Sequence, residues 1–425
     1  MSENTNNKKT TEEVVQVTAY SVLIAFLCMM TFGVSFVSRN VWSSTIASES
    51  ALEALGITLV QAGGIASAFY IGYVVSNFFS GFFVDKLGPR ITLAATALGT
   101  GLFTVLIPLV SGYWAIFALR VLAGVAAGPL FAGISKMNYG WFPDRVRATV
   151  VGFMMSGPAV GMAFASIVFT PMVATRGYKT AFVYAGILTI IVGVIVLIFM
   201  KEKGLSRGSR GVEKSTEEKA AEVKNAIKVF TTKDFMINTV MHTILVGAGQ
   251  GLQTWILAYL IIGKEMTPAV AGMIFGSASL VSLVTNILSG TVSDILKTRK
   301  WIVIIASVVT FIFMYMYRAS TSVTALTAVT ILMTIARGFQ GTASNAMQTE
   351  RAKGPNAGKV MGWYNAVCQL GSIIYPIITG AVLAATQNYF AVIMILAGSF
   401  LAVGVLGLFI DDTYVSRPKE IKKTA

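Results

Sequence analysis

Gly81-Phe82-Phe83-Val84-Asp85-Lys86-Leu87-Gly88-Pro89-Arg90 stands between two long apolar runs. A reduced copy, Gly290-Thr291-Val292-Ser293-Asp294-Ile295-Leu296-Lys297-Thr298-Arg299, follows another apolar run 209 positions later. Both copies keep the glycine, an aspartate four residues on and an arginine five beyond that. A charged cluster recurring at the same place in two apolar halves points to a duplicated membrane transporter, with each copy at the polar turn between two crossings.

The composition outside these clusters agrees. Hydrophobic residues make up 55% of the 425-residue chain and charged residues 12%, against about one quarter charged in soluble domains. Runs of about 20 apolar residues, enough to cross a hydrocarbon core of about 30 Å, succeed one another along the sequence. Twelve are marked: 17–47, 58–83, 91–110, 112–135, 147–173, 179–200, 235–262, 268–292, 301–318, 322–348, 358–384 and 387–410. The expected fold is an all-α integral membrane protein of twelve transmembrane helices in two pseudosymmetric six-helix bundles. Its divisions are an N-terminal tail at 1–16, a first bundle at 17–200, a connecting loop at 201–234, a second bundle at 235–410 and a C-terminal tail at 411–425.

Net charge is +14, and its distribution decides what it means. Basic residues retained on the cytoplasmic side orient membrane proteins. One set of loops and tails holds 26 Lys and Arg; the alternate loops hold four, Arg176, Lys179, Lys264 and Arg318. Both termini are therefore expected in the cytoplasm of a cell that carries this chain in its plasma or inner membrane. A nucleic-acid role would need a folded basic face interleaved with stacking aromatics, and no such face is present. The first apolar run is long, lacks a small-residue cleavage site and follows a polar segment of both charge signs, so it reads as a membrane span rather than a cleaved signal. Residues 1–15 read as disordered. Cys28 and Cys368 fall inside spans and read as small core residues. The stretch 211–230 of the connecting loop can form an amphipathic helix on the membrane surface or serve as a tether.

Further symmetry supports the duplication. Gly152 and Gly161 answer Gly362 and Gly371 at an offset of 210, and Arg120-x-x-x-Gly124-x-x-x-Gly128 answers Arg337-x-x-x-Gly341-x-x-x-Asn345. On these residues the chain resembles the major facilitator superfamily: the stretch from Gly81 to Arg90 is similar to its signature loop between helices 2 and 3, and Arg120 to Gly128 to its helix-4 arginine motif. Ser67-Ala-Phe-Tyr-Ile-Gly72-Tyr73, Trp141-Phe-Pro-Asp144-Arg145 and Gly177-Tyr-Lys-Thr-Ala-Phe182 resemble the anion:cation symporter group, which includes sugar-acid and organic-anion carriers.

An aspartate at the end of one helix accepts hydrogen bonds from basic residues and from the start of a neighbouring helix. Asp85 with Lys86 and Arg90, and Asp294 with Arg299, are thus expected to gate the cytoplasmic side, as the resemblance also implies, or else to act only as loop charges that set orientation. Ionisable residues inside the membrane are functional candidates by default, and three arginines qualify: Arg39, Arg120 and Arg337. The guanidinium stays charged and offers a planar fork that fits carboxylate or phosphate, so an anionic substrate is expected. Arg39 stands where the resembled group carries an Asp-Arg pair, which implies contact with a substrate carboxylate; the alternative is that it snorkels to the outer surface. Arg120 serves binding or conformational coupling, and Arg337 faces the cavity or contacts backbone carbonyls. Tyr70, Tyr73, Gln250, Gln253, Trp255, Asn365 and Gln369 are candidate polar or stacking groups of the same cavity, together with Asn286 and Tyr375, with interhelical packing as the competing role.

This sequence also departs from the resembled pattern. The aspartate expected beside the helix-1 arginine is Ser38, the glutamate expected seven residues after Arg120 is Ala127, and every Asp and Glu lies in a loop or near a span end. That puts ordinary proton symport in doubt and leaves a proton, sodium or a counter-anion open as the coupled species. His242, the sole histidine, is a coupling candidate because its ordinary pKa lies near neutrality, or a hydrogen-bonded core residue. The expected function is secondary active transport of a small organic anion by alternating access, with a proton-driven exporter of drugs or metabolites and a non-transporting sensor as alternatives. Neither an enzyme constellation nor a metal site is expected, since one histidine and two separated cysteines build neither. No cofactor is expected; a small anionic substrate and membrane lipid are the expected partners of a monomer.

Overall fold

A computed structural model describes residues 17–202, 216–352 and 357–412; the expected disordered start, residues 203–215 of the connecting loop and the C-terminal tail from 413 on lie outside the described residues. In chain order the helices are α1 (Ala19–Ile46), α2 (Glu49–Leu55), α3 (Leu59–Phe78), α4 (Ser80–Leu87), α5 (Pro89–Leu106), α6 (Tyr113–Ala127), α7 (Leu130–Trp141), α8 (Asp144–Met154), α9 (Gly157–Phe199), α10 (Thr216–Phe230), α11 (Lys233–Ala258), α12 (Pro268–Leu296), α13 (Lys300–Met316), α14 (Val323–Arg351), α15 (Ala357–Thr386) and α16 (Tyr389–Gly407). Helix is the only regular structure among the described residues besides two short helical turns of 3-10 and π type.

Among the described residues ten stretches are long and apolar enough to cross a membrane. One of them, Arg145–Phe199, has 55 residues, far more than the roughly 20 a single crossing needs. It breaks at Gly177, whose φ of 80° suits a residue without a Cβ, so that α9 contributes parts of two crossings. Counting both and adding the shorter apolar helix Lys300–Met316 is consistent with the twelve crossings expected. Starts are written in the sequence: Thr18 with Ser21 and Thr58 with Gln61 form reciprocal caps, and Thr267, Ser322 and Asn388 cap α12, α14 and α16 with their side chains.

Much of the opening decapeptide is helical. It forms most of α4, which ends only where Gly88 takes φ 84° and Pro89 starts α5, and its copy is the last turns of α12, ended by Lys297 at φ 49°. Apolar residues on both sides of each aspartate keep these helices running past the span ends that hydropathy marks.

The first half packs α1 and α5 against α9 and α3 against α6; the second packs α11 against α15 and α12 and α13 against α14. Between the halves, α3 meets α15 and α9 meets α12. These inter-half contacts gather at the end remote from the signature helices. There the backbones nearly touch: a Cβ on Gly63 would strike the Pro376 carbonyl, and one on Gly272 would strike that of Ser166. The Ser67 hydroxyl donates across the seam to the Ile373 carbonyl at 2.6 Å. A single apolar core, with Trp42, Phe169, Phe182, Trp255, Tyr259 and Phe275 among its members, joins both halves at this end and continues along the second half to Ile302, Val303 and Met347. At the signature end the cores are separate, one around Cys28, Leu93 and Met137, the other around Phe235, Tyr364 and Cys368. A Cβ added at Gly152, Gly290 or Gly362 would meet nothing within 4 Å. The molecule is sealed at one end and parted at the other.

The connecting loop adds α10, which lays Ala226, Val229 and Phe230 against Phe235 and the start of the α15 crossing near Trp363.

Candidate functional site

A cavity of about 500 Å³ lies between the halves, lined from the first half by Phe32, Phe36, Arg39, Tyr70, Tyr73 and Met162 and from the second by α11, α12, α14 and α15. Helical phase selects the α11 residues: Val246, Gly249, Gln250 and Gln253 line it, at the i, i+3, i+4, i+7 spacing of one helix face. Arg337, Gln369 and Asn286 complete the polar lining, with Ser279, Ser282 and Thr334.

Arg39 is the central group. It is 9% exposed, and its guanidinium carbon lies 4.4 Å from the Phe36 ring, 4.5 Å from Phe69 and 5.1 Å from Tyr73. Aromatic faces attract a cation without saturating its five N–H donors. Among the described residues no carboxylate pairs with it, its Nε has no hydrogen-bond partner, and no Asp or Glu is among the fully buried side chains. Arg39 therefore does not snorkel to a surface; it is held in an aromatic box facing the cavity.

Arg120 sits deeper, 3% exposed. It lines a smaller recess beside the main cavity with Arg39, Trp42, Tyr70, Gln250 and Gln253. Its Nη1 donates to the Ser38 carbonyl at 3.3 Å, the peptide that leads into Arg39, and its guanidinium carbon lies 5.3 Å from the Phe69 ring that Arg39 also approaches. Arg337 faces the main cavity from the other half, 5.0 Å from the Phe400 ring, with an unpartnered Nε. Between the two compartments the Tyr70 hydroxyl donates to Gln250 Oε1, a side-chain bond that joins the halves.

Three candidates of the same set, Trp255, Asn365 and Tyr375, lie elsewhere. Trp255 is buried in the core against Gly380, two residues past Gln253 and so on another face of α11. Asn365 is one turn before Gln369 toward the parted end, where it is exposed. Tyr375 packs on Gly247. His242 touches Ser344 through Nδ1 at 3.2 Å and lies against Tyr364 at 5.4 Å; it belongs to a buried chain with Asn238 and Gln348 and does not line the cavity. Phe32, Phe36, Met162 and Phe275 do line it, and nothing in their sequence sets them apart from the lipid-facing apolar residues around them.

Against this geometry the comparisons with known proteins are decisive for the family. A sequence profile described as Major Facilitator Superfamily matches residues 21–263 and 241–425. The chain belongs to the major facilitator superfamily. It is 25% identical over 394 residues to the hexuronate transporter of Bacillus subtilis, covering 88% of this chain and 89% of that one. It is 28% identical over 299 residues to the D-galactonate transporter of Escherichia coli, with 65% and 68% covered. A putative tartrate transporter of Agrobacterium vitis is 23% identical over 96% of this chain and 94% of its own. Among solved structures, the D-xylose–proton symporter superposes with a TM-score of 0.73 at 14% identity, covering 94% of this chain and all of the other. A bacterial homologue of the human lysosomal transporter Spinster gives 0.71 at 14%, over 94% and 97%. As a member of a transporter superfamily, the chain is not an enzyme.

The superfamily signature residues pair within each half. Asp85 receives Lys136 Nζ at 2.6 Å, from α7 rather than from the neighbouring Lys86 or Arg90. Lys86 lies 5.5 Å from the Phe82 ring, and Arg90 Nε donates to the Leu197 carbonyl at 3.1 Å. The Asp294 side chain lies outside the described part; Arg299 donates to Ser293 Oγ at 2.5 Å and pairs with Glu350 at 3.0 Å.

Two residues missed from sequence close these clusters. Glu202 Oε1 accepts the Arg90 N–H at 3.2 Å at the start of α5. Asp412 accepts from Thr298 Oγ1 at 2.5 Å and from the N–H groups of Arg299 and Lys300, both at 3.3 Å, at the start of α13. Both place negative charge at a helix N-terminus, where the macrodipole favours it. They sit 210 positions apart, the offset of the glycine pairs, and that interval was the signal that would have found them.

Proposed function

We propose that this superfamily member is a secondary transporter of a small organic anion, a sugar acid or similar carboxylate, and that Arg39 receives the carboxylate. The observation that carries the reading is the Arg39 box: a charged fork, nine-tenths buried, facing a cavity between the halves with no carboxylate to neutralise it. An arginine at mid-membrane costs about 2.5–3.5 kcal/mol on insertion scales, and an anionic cargo offsets that cost. The relatives whose names give hexuronate, galactonate and tartrate support the same cargo class, since each of those anions carries a carboxylate beside several hydroxyls. Tyr70, Tyr73, Gln250, Gln253 and Gln369 would serve the hydroxyls and Arg337 a second charge. Arg120 fits a supporting role: its bond to the Ser38 carbonyl fixes the peptide that aims Arg39.

In the same reading both termini and the parted, signature end face the cytoplasm, as 26 basic residues against four require, and the two bundles are 17–200 and 235–410, joined by the 201–234 loop. Asp85–Lys136 and Arg299–Glu350 act as intra-half braces in this state and re-pair across the halves when the end closes, the gating role for Asp85, Lys86, Arg90, Asp294 and Arg299. With no acid in the box, the coupled species is sodium, a counter-anion or a proton carried outside it, and the transporter works as a monomer.

Proteoliposomes test this. Uptake of labelled glucuronate and galactonate, competed by a panel of carboxylates, should be abolished by Arg39→Gln. Undiminished uptake by that variant, or transport of cations alone, overturns the assignment. Repeating uptake under imposed pH and sodium gradients, and with substrate preloaded, separates symport from exchange.

A further inference from the structure

A second recess, of about 640 Å³, opens at the sealed end of the second half, away from the central cavity; its lining includes Tyr259, Lys264, Arg318, Asn388, Tyr389 and Phe390. Its charge is unusual for its place. Only four Lys or Arg occupy the loops of this end, and two of them, Lys264 and Arg318, which are 54 residues apart in sequence, line this one recess. Lys264 is fixed: Nζ donates to the Arg318 carbonyl at 3.1 Å and to the Ser320 carbonyl at 2.9 Å. An ammonium has three N–H donors, so one is left over. The Arg318 guanidinium carbon lies 5.8 Å from the Phe390 ring; the side chain is exposed, and among the described residues no carboxylate pairs with it. The 19-residue α16 also begins here, capped by the Asn388 side chain, which accepts the Phe390 N–H at 2.9 Å, and its positive dipole end adds to the field. Positive-φ backbone at Glu265 (55°) and Gln387 (50°) turns the two flanking loops around the recess. Two cations, an aromatic wall and a helix start thus converge with no carboxylate among the lining residues, while Glu265 stands on a flanking loop and Glu49 lies close enough to act on Tyr389.

We propose that this recess binds an oxyanion, carboxylate or phosphate, through Arg318, the free Lys264 donor and the start of α16, separately from the Arg39 cavity. It rests on the orientation given above for its outward placement, not for its chemistry. Two sources supply such a group there: a free anion approaching from outside, or the phosphate of an outer-leaflet anionic lipid. The proposed occupant is held at an exposed site by two cations, so binding should be weak and should fall with rising salt.

The test uses the full-length Arg39→Gln protein, in which the central anion group is removed. One arm titrates glucuronate and inorganic phosphate by calorimetry in neutral detergent; the other measures retention of phosphatidylglycerol over phosphatidylcholine by native mass spectrometry. Each arm is repeated with Arg318→Gln and with Arg318→Lys added. A tenfold or greater loss of soluble-anion affinity in Arg318→Gln, largely restored in Arg318→Lys, supports the site with free anion as its occupant. Loss of phosphatidylglycerol preference in Arg318→Gln, with soluble anions unaffected, supports it with lipid phosphate as the occupant. If neither probe binds, or if neither distinguishes Arg318→Gln from its parent, the proposal is overturned. Failure of the Arg39 assignment would appear separately, as undiminished uptake by Arg39→Gln alone.

Discussion

Arg39→Gln should separate transport from stability in opposite directions. On the transport side, a guanidinium fork donating two charge-assisted hydrogen bonds to a carboxylate loses both on truncation. At about 1.5–3 kcal/mol each, discounted because water refills the site, the loss is about 3–4 kcal/mol. That is roughly a 100- to 1,000-fold weakening at 1.4 kcal/mol per decade. On the stability side, the variant gives up cation–π contacts with Phe36, Phe69 and Tyr73, worth about 0.5–2 kcal/mol. It also relieves an uncompensated cation that costs about 2.5–3.5 kcal/mol. The empty carrier should therefore be as stable as the parent or more so by about 1–3 kcal/mol, while substrate no longer raises its melting temperature. Arg39→Lys should fall between, keeping charge and losing the fork. The assay is thermal unfolding in detergent with and without glucuronate, beside uptake in proteoliposomes. A variant that melts well below the parent without substrate yet transports normally would refute the reasoning, because it would make Arg39 a structural residue.

Three further outcomes follow from the geometry. Tyr70→Phe removes the bond to Gln250 that joins the halves and should lower apparent affinity by about 2- to 10-fold, as one lost hydrogen bond of about 0.5–1.5 kcal/mol predicts; unchanged uptake kinetics would argue against a role for that bond. Gly124→Val drives a side chain into the Phe69 carbonyl where α3 crosses α6 and should sharply reduce the yield of folded protein, whereas Gly152→Val, which meets nothing in the open state, should fold and lose transport; size-exclusion profiles beside uptake check both. Asp412→Asn and Glu202→Gln each weaken the acidic cap of a helix start and should cost about 0.5–2 kcal/mol of stability, with the Asp412 change larger because three donors converge on it; equal melting temperatures for parent and variants would contradict that account.

Crossings and duplication were legible because hydropathy reports burial in lipid directly, and because the Gly81 and Gly290 segments repeat. What was not legible depends on rotation and tilt. Gln250 and Gln253 share the cavity face of α11 and Trp255 does not, a difference of helical phase that hydropathy cannot register when every face is apolar. Asn365 has the phase of Gln369 but lies on the end where the halves have parted, and which end is parted is a property of the conformation. The partner of Asp85 was sought nearby in sequence and is Lys136, 51 residues away on α7. The arginines were found because charge inside a membrane is conspicuous; the aromatic rings that hold Arg39 were not, because Phe36 and Phe69 look like any lipid-facing phenylalanine.

The seam between the halves at the closed end brings backbone against backbone, with Gly63 on the Pro376 carbonyl and Gly272 on the Ser166 carbonyl, and shared apolar side chains fill the space around these contacts. The tightest points of such a barrier do not depend on side-chain rotamers. Rotamer changes on the nanosecond scale cannot crack it open to a water file; it yields only when whole helices separate. Leakage of small ions past the waiting carrier is thereby expected to require the slow separation of the halves, so liposomes holding the protein without substrate should keep an imposed ion gradient as well as protein-free ones do.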